Sequence, residues 1–216
     1  MNSDYSVARK KMVQEQLADR GIKDEKILQI MLDIPRHLFV DEGLAPMAYS
    51  DRPLSIGEGQ TISQPYIVAY MVECLRLKPQ DRVLEIGTGC GYLTAILAKL
   101  VQSVYSIERL SGLLFQARKN LKRLGIKNVT LRIGDGTQGW SEQAPFDAII
   151  VSAASPQIPQ PYVEQLAEGG RLILPLGGED FQELVLVRKE KGKYTRSTLS
   201  GCRFVKLKGK YGFEAS

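Results

Sequence analysis

Two rhythms of hydrophobic positions alternate along this chain. Short apolar runs at residues 82–86, 103–108, 129–133, 146–151 and 171–176 predict strands. Val83, Leu84 and Ile86 in particular lack the polar alternation of a half-exposed strand, as expected where both faces of a parallel sheet are covered. Between them apolar residues recur at helical spacing: Leu93, Ile96 and Leu97, then Leu113, Leu114, Ala117 and Leu121, then Val163 and Leu166. Two further helices are expected ahead of the first strand. Met12, Val13 and Leu17 mark one that Gly21 ends, and Asp24 caps another through Ile27, Leu28, Met31 and Leu32 until Pro35 stops it. Residues 183–189 and 199–207 alternate well enough for two antiparallel edge strands around a turn at Gly192. These units predict an α/β, Rossmann-like fold: a mostly parallel twisted sheet with helices on both faces, N-terminal helical decoration and antiparallel C-terminal edge strands. Its site is expected at the carboxyl ends of the strands.

With 216 residues, 24.0 kDa and 44% hydrophobic residues, the chain suits a single domain. We divide residues 1–216 into an N-terminal helical, substrate-side extension (1–78), a cofactor-binding core (79–176) and a C-terminal antiparallel segment (177–216). No apolar run approaches the roughly 20 residues of a membrane span, so a soluble cytoplasmic protein without a membrane partner is expected. Cys74, Cys90 and Cys202 are odd in number and far apart, which suggests neither a disulfide framework nor a metal centre. The net charge of +5 is uneven: residues 188–210 hold nine Lys/Arg against one acid, Glu190, leaving the remainder acidic on balance. That basic stretch lacks the interleaved aromatics of a single-strand reader, and charged edge strands resist aggregation; nucleic acid is not the favoured partner.

The chemistry concentrates after the first core strand. Gly87, Gly89 and Gly91 form a turn through which backbone can approach a ligand, and the following helix start offers unpaired N–H groups. The spacing Gly-x-Gly-x-Gly is not a dinucleotide fingerprint, and no phosphate loop ending in Gly-Lys-Ser/Thr is present. Glu85, Glu108 and Asp135, all at or beside strand ends, would repel phosphates. They suit a cationic ligand with an amino group, a ribose and an adenine, S-adenosylmethionine, with Glu108 placed to meet ribose hydroxyls. Residues 54–65 read as a flexible glycine loop leading into a helix, with Ser63 as its N-cap and Pro65 in the first turn. The plain reading gives Ser63 a capping role; the sharper one lets hydroxyls at a positive helix end hold a carboxylate. His37, the only histidine, has apolar neighbours and is assigned to packing.

Gln-Thr-Ile-Ser-Gln-Pro at 60–65, Val-Leu-Glu-Ile-Gly-Thr-Gly-Cys-Gly-Tyr at 83–92, Gly-Asp-Gly at 134–136 and Ala-Pro-Phe-Asp at 144–147 resemble the protein-L-isoaspartate O-methyltransferase family of class I S-adenosylmethionine-dependent methyltransferases. The likeness extends to Pro35-Arg36-His37 and Gly169-Gly170. It implies a repair enzyme that moves a methyl group to the free α-carboxylate of L-isoaspartyl residues in proteins and peptides, leading through a succinimide to aspartyl and leaving S-adenosylhomocysteine. It implies Ser63 as the active-site serine and Gln60, Thr61 and Ile62 as the lining of the substrate and cofactor cleft. Glu85, Gly87, Thr88, Gly89 and Gly91 would hold the methionine end, Glu108 the ribose, and Asp135 with Gly136 the adenine. Cys90 stands where the family often has serine, and Lys206 replaces a proline in the tail motif. Another methyl acceptor, such as a nucleic acid or small molecule, or a non-catalytic nucleotide-binding module, is the competing reading. A monomer is expected.

Overall fold

The computed structural model describes residues 4–178 and 180–214. The chain opens with helix α1 (Ser6–Lys11), which widens into a π turn over Met12–Leu17 and tightens into a 3₁₀ turn at Ala18–Arg20 before Gly21 ends it at φ +98°. The single uniform helix expected from sequence is therefore three turn types. The π turn buries both Met12 and Leu17, five residues apart, a spacing that an α-helix would rotate away from one face. Helix α2 (Glu25–Asp33) starts as predicted, with the Asp24 carboxylate accepting from the Lys26 and Ile27 amides, and Ile30 joins Ile27 and Met31 on its buried face.

Residues 54–62 are not a flexible loop. They form a hairpin of β1 (Leu54–Gly57) and β2 (Gln60–Ile62), reversed at Glu58 and Gly59, both with positive φ as a two-residue primed turn demands. Helix α3 (Pro65–Leu75) follows with Pro65 in its first turn; its N-cap is Gln64, and no side chain caps it. Ser63 lies one residue too early to cap, which leaves its hydroxyl for another purpose.

The core alternates β3 (Arg82–Ile86), α4 (Tyr92–Leu100), β4 (Ser103–Glu108), α5 (Ser111–Arg123), β5 (Val129–Ile133), β6 (Phe146–Val151), α6 (Gln160–Gln165) and β7 (Leu166–Gly177). Strands β8 (Gln182–Glu190) and β9 (Lys193–Cys202) complete a seven-stranded sheet of order β5-β4-β3-β6-β7-β8-β9. The pairs from β5 to β7 are parallel, and β7-β8-β9 are antiparallel. The last strand ends earlier than the 199–207 expected, and residues 203–213 leave the sheet to pass over its carboxyl end. Because the chain runs outward from β3 to β5 and then restarts at β6 on the other side of β3, the connections diverge there and open a crevice at the strand ends.

Alternate residues of β3 and β6 feed the two faces of the sheet. Val83, Ala148 and Ile150 pack with α2, α3 and α4, whereas Leu84, Ile86, Ile149 and Val151 pack with Trp140, Tyr162 and Leu207. At the opposite end of the sheet from the crevice, Arg171 ties several elements together. It pairs with Asp81 at 2.5 Å and donates to the carbonyls of Leu75, Arg76 and Asp147. Asp81 is buried and the arginine nearly so, so removing the guanidinium leaves a buried carboxylate and the part-buried carbonyls of Leu75 and Asp147 without this partner. Arg171→Ala is expected to lower stability by about 3 kcal/mol; the midpoint of urea unfolding followed by circular dichroism checks it.

Candidate active site

Three cavities meet at the carboxyl ends of β3, β4 and β6. The chamber above β3 and β4 has about 440 Å³ and is bounded by the β1-β2 hairpin, Gly87, Gly89, Glu108, Leu110, Leu113, Gly136 and residues 205–208. A groove of about 470 Å³ runs past Ser63, Tyr66, Ile67 and the end of β9 toward Arg203 and Phe204. A recess of about 40 Å³ lies between them, against Ser63, Thr88 and Tyr92. Thr61 and Ser152 line all three, so they mark the junction.

The turn that floors the chamber is built for close approach. Gly87, Gly89 and Gly91 have φ of +92°, +54° and +87°, and any side chain on Gly87 would face Ser152. The Glu108 carboxylate accepts from the Gly89 amide at 2.9 Å, the Arg109 amide at 2.8 Å and the Leu110 amide at 3.0 Å. Three amides hold the acid at the end of β4 while its oxygens keep acceptor capacity toward the chamber. Apolar walls from Ile86, Ile107, Leu110 and Leu113 suit a flat heteroaromatic ring beside that carboxylate. The donor set therefore fits a nucleoside with a vicinal diol.

Ser63 is positioned by a residue that sequence reasoning passed over. Arg36 is completely buried, donates to the Ser63 carbonyl at 2.7 Å and the Ala48 carbonyl at 2.8 Å, and stands 4.8 Å from the centre of the Tyr92 ring. It forms no ion pair among the described residues, and its Nη1 finds no partner. A buried cation with carbonyl partners only is costly, and it holds the loop before α3 against the floor of the sheet. The Ser63 hydroxyl makes no hydrogen bond among the described residues, and Ser63 lines both the recess and the groove.

A family description, Protein-L-isoaspartate(D-aspartate) O-methyltransferase, matches residues 8–212. The chain belongs to the protein-L-isoaspartate O-methyltransferase family. A Geobacter metallireducens protein of that name is 54% identical over 211 residues, spanning 97% of this chain and 98% of its own length. A solved protein-L-isoaspartate O-methyltransferase superposes with a TM-score of 0.86 at 31% identity, covering 94% of this chain and 67% of the other. A Plasmodium falciparum structure described as this enzyme and solved with S-adenosyl-L-homocysteine gives 0.82 at 32% identity, covering 93% and 98%.

Within this family frame the sequence-selected residues separate into two groups. Gln60, Thr61, Gly87, Gly89, Glu108 and Gly136 line the large chamber. Ile62 and Thr88 reach only the recess, where Thr88 Oγ1 is bonded to Ser106. Gly91 lines no cavity: a Cβ there would lie 3.2 Å from that of Ala117, so this glycine lets α4 and α5 approach. Asp135 does not line the chamber either. Its Oδ1 accepts from the Thr137 amide and hydroxyl, and its Oδ2 from the Lys210 amide at 2.9 Å. Burial alone would raise this carboxyl, but the Lys210 and Thr137 hydrogen bonds outweigh it and hold it below the usual range. Gly136, by contrast, has no room for any side chain, because a Cβ would meet Ile86 at 2.6 Å.

Glu85 is the clearest departure. It points into the interior rather than the chamber, where its Oε2 accepts from the Thr94 and Ser106 hydroxyls at 2.6 Å each, and Oε1 has no partner. Thr88, Ser106 and Glu85 thus form a relay beneath the glycine turn, a support rather than a ligand contact. Of the residues given no role from sequence, Leu110 is ordinary by type and spacing, and Arg36, between Pro35 and His37, carries no motif that marks it as a positioning group. Cys90 is buried and its thiol is pushed up to about 11, so it stays neutral as serine would.

Burial pushes the Glu85 carboxyl up to about 8, against the lowering effect of the Ser106 and Thr94 hydrogen bonds. Between its ordinary 4.5 and that value the folded chain keeps a proton that the unfolded chain has released, so rising pH erodes stability through this window. Glu85→Gln removes the titration. Its stability advantage over the parent is expected to grow by about 1 kcal/mol per pH unit from pH 5 to 8; urea midpoints at each pH measure it, and a constant gap would show the carboxyl to be ionised in the fold.

Proposed function

We propose that Ser63 orients the free α-carboxylate of an L-isoaspartyl residue lying in the groove, at the junction with a chamber that holds S-adenosylmethionine. The chain is an S-adenosylmethionine-dependent protein-L-isoaspartate O-methyltransferase acting on isoaspartyl-containing proteins and peptides. The observation that carries the assignment of roles is the shared lining at Thr61 and Ser152: chamber, recess and groove have these two residues in common, and Ser63 lines the recess and the groove.

When bound, the cofactor supplies a methyl group on a sulfonium, ready for in-line displacement by an oxygen nucleophile. The chain's own work is to place that nucleophile. A free carboxylate has a pKa near ~4 and is ionised at neutral pH, so no general base is required. His37 fits this account, since its Nδ1 is tied to the Tyr49 hydroxyl at 2.7 Å and its ring packs on Tyr5. Ser63 donates to one carboxylate oxygen and leaves the other to react; a neutral hydroxyl spares nucleophilicity that Arg or Lys would suppress. Arg36 fixes the Ser63 backbone, and the hairpin, Ser152 and the passing segment 203–213 exclude water from the junction. Glu108 receives the ribose hydroxyls, and Gly87 and Gly89 admit the amino acid end. The adjoining backbone nitrogen can then attack the ester carbonyl, giving up its proton as methoxide leaves as methanol, and water opens the resulting succinimide in part to aspartyl.

The same proposal keeps residues 1–216 as one methyltransferase domain. Among the described residues no helix is long and apolar enough to cross a membrane, in keeping with a cytoplasmic repair enzyme.

Labelled S-adenosylmethionine offered with paired peptides, identical except for an isoaspartyl or aspartyl linkage, tests the reaction. Base-labile label is expected on the isoaspartyl peptide alone. Ser63→Ala should reduce kcat on the order of tenfold or more while S-adenosylhomocysteine affinity stays within about twofold; equal losses in both would remove Ser63 from the acceptor. Glu108→Ala should do the reverse to calorimetric affinity, weakening S-adenosylhomocysteine by about tenfold or more.

A further inference from the structure

Among the described residues, Thr61, Ser152 and Val205 line both the large chamber and the groove. Val205 is apolar and belongs to the segment that passes over the sheet's end, and Thr61 is exposed on the two-stranded hairpin. Ser152 differs from both. It follows β6 directly, its amide donates to the Ile86 carbonyl at 2.9 Å, and it is half-buried against the central sheet. A Cβ on Gly87 would lie 3.4 Å from that of Ser152, so the missing side chain of the glycine leaves the serine open on that side. Its hydroxyl makes no hydrogen bond among the described residues, which leaves one donor and two lone pairs uncommitted.

We propose that Ser152 is a catalytic contact whose hydroxyl oxygen meets the sulfonium methyl of S-adenosylmethionine where that methyl passes to the acceptor. The inference rests on the reading of chamber and groove as cofactor and acceptor sites. In-line transfer brings the methyl carbon and the acceptor oxygen to about 3 Å, so both must lie at the boundary that the two cavities share. The bond from acceptor oxygen to carbon forms as the carbon–sulfur electron pair returns to sulfur, and no proton moves. Until that exchange is complete the methyl hydrogens carry positive charge drawn out by the sulfonium. A neutral oxygen suits them through weak C–H···O contacts. A carboxylate in the same place would compete with the substrate for the methyl, and an apolar side chain would do nothing for the charge. Because Ser152 is bonded into the sheet, it requires less reorganisation than the exposed Thr61. Ser63 lines the recess and the groove but not the chamber, so the two serines serve different ligands: Ser63 the acceptor, Ser152 the donor.

Full-length parent, Ser152→Thr and Ser152→Val chains are titrated calorimetrically with S-adenosylmethionine and with S-adenosylhomocysteine in the absence of peptide, then assayed with an isoaspartyl peptide. The two ligands differ by the methyl and its charge, and threonine and valine differ by the hydroxyl at nearly equal shape. Ser152→Val is expected to bind S-adenosylmethionine about threefold more weakly than Ser152→Thr does, the scale of such contacts, with S-adenosylhomocysteine unchanged between them. The kcat/KM for S-adenosylmethionine should fall by at least the same factor, since the contact persists in the transition state, while the KM for peptide stays level. Three results would each overturn the contact. Equal weakening of both ligands would make Ser152 a piece of cavity wall, the same ligand ratio in the Thr and Val chains would remove its oxygen from the methyl, and a raised peptide KM at an unchanged ratio would make it a second acceptor ligand. If the β-branched variants do not fold, Ser152→Ala against the parent decides by the same ratio. A parent chain that bound neither ligand would overturn the chamber assignment and the contact with it, whereas normal parent binding with an indifferent ratio would overturn the contact alone.

Discussion

The Glu108 carboxylate gathers the amides of Gly89, Arg109 and Leu110 and, with the Gly87 amide on the Ile107 carbonyl and Thr88 on Ser106, holds the end of strand β4 to the turn after β3. Those amides belong to two successive strand-to-helix connections, so the acid fixes the relative height of α4 and α5 as well as the shape of the turn. From that fixed point the rest follows. The glycine turn can pass beside Ser152 without a side chain between them, the crevice opens where the sheet order reverses, and the β1-β2 hairpin has a floor to close against. Because the carboxylate is oriented before any ligand arrives, little reorganisation remains to be done on binding.

A second layer supports this arrangement from below. Ser106, Thr94 and Thr88 fill the space under the turn with short hydrogen bonds that converge on Glu85 Oε2 and leave Oε1 unpartnered, and burial favours the protonated acid. A charged group there would have to be solvated by a site that has no water to offer. The two acids at neighbouring strand ends therefore divide by environment: the one held by amides lines the chamber, and the one held by hydroxyls faces the core.

The sheet was legible in the sequence because its central strands are buried on both faces, and the runs at 82–86 and 146–151 coincide with β3 and β6; the half-exposed edge strand β5 was marked instead by apolar-polar alternation over 129–133. The edge was less so. Strand β9 is exposed along most of its length, so nothing in its side chains marks where pairing stops, and the apolar residues at 204, 205 and 207 reflect contact with the sheet's end rather than strand pairing. At the site, residue type was a good guide and direction was not. Glu85, Glu108 and Asp135 have the same chemistry and similar positions, but strand pleat and turn geometry send them to the core, the chamber and the segment 203–213. Arg36 was invisible for a related reason: a guanidinium satisfied by carbonyls leaves no partner motif to find. The hairpin at 54–62 was hidden by its positive-φ Glu58, a residue that rarely announces such a turn.

Arg36 also gives the two sides of the groove unequal stiffness. On one side a buried guanidinium, braced by an aromatic ring, pins the carbonyl of Ser63. On the other the boundary is an exposed strand end and a length of chain held at intervals. Molecular damage of this kind arises in unrelated sequence contexts, and a catalyst for it has to be strict about a single atom group while indifferent to its surroundings. A hard jaw facing a pliant one is a mechanical solution to that demand, and it locates tolerance and accuracy in different parts of the same polypeptide.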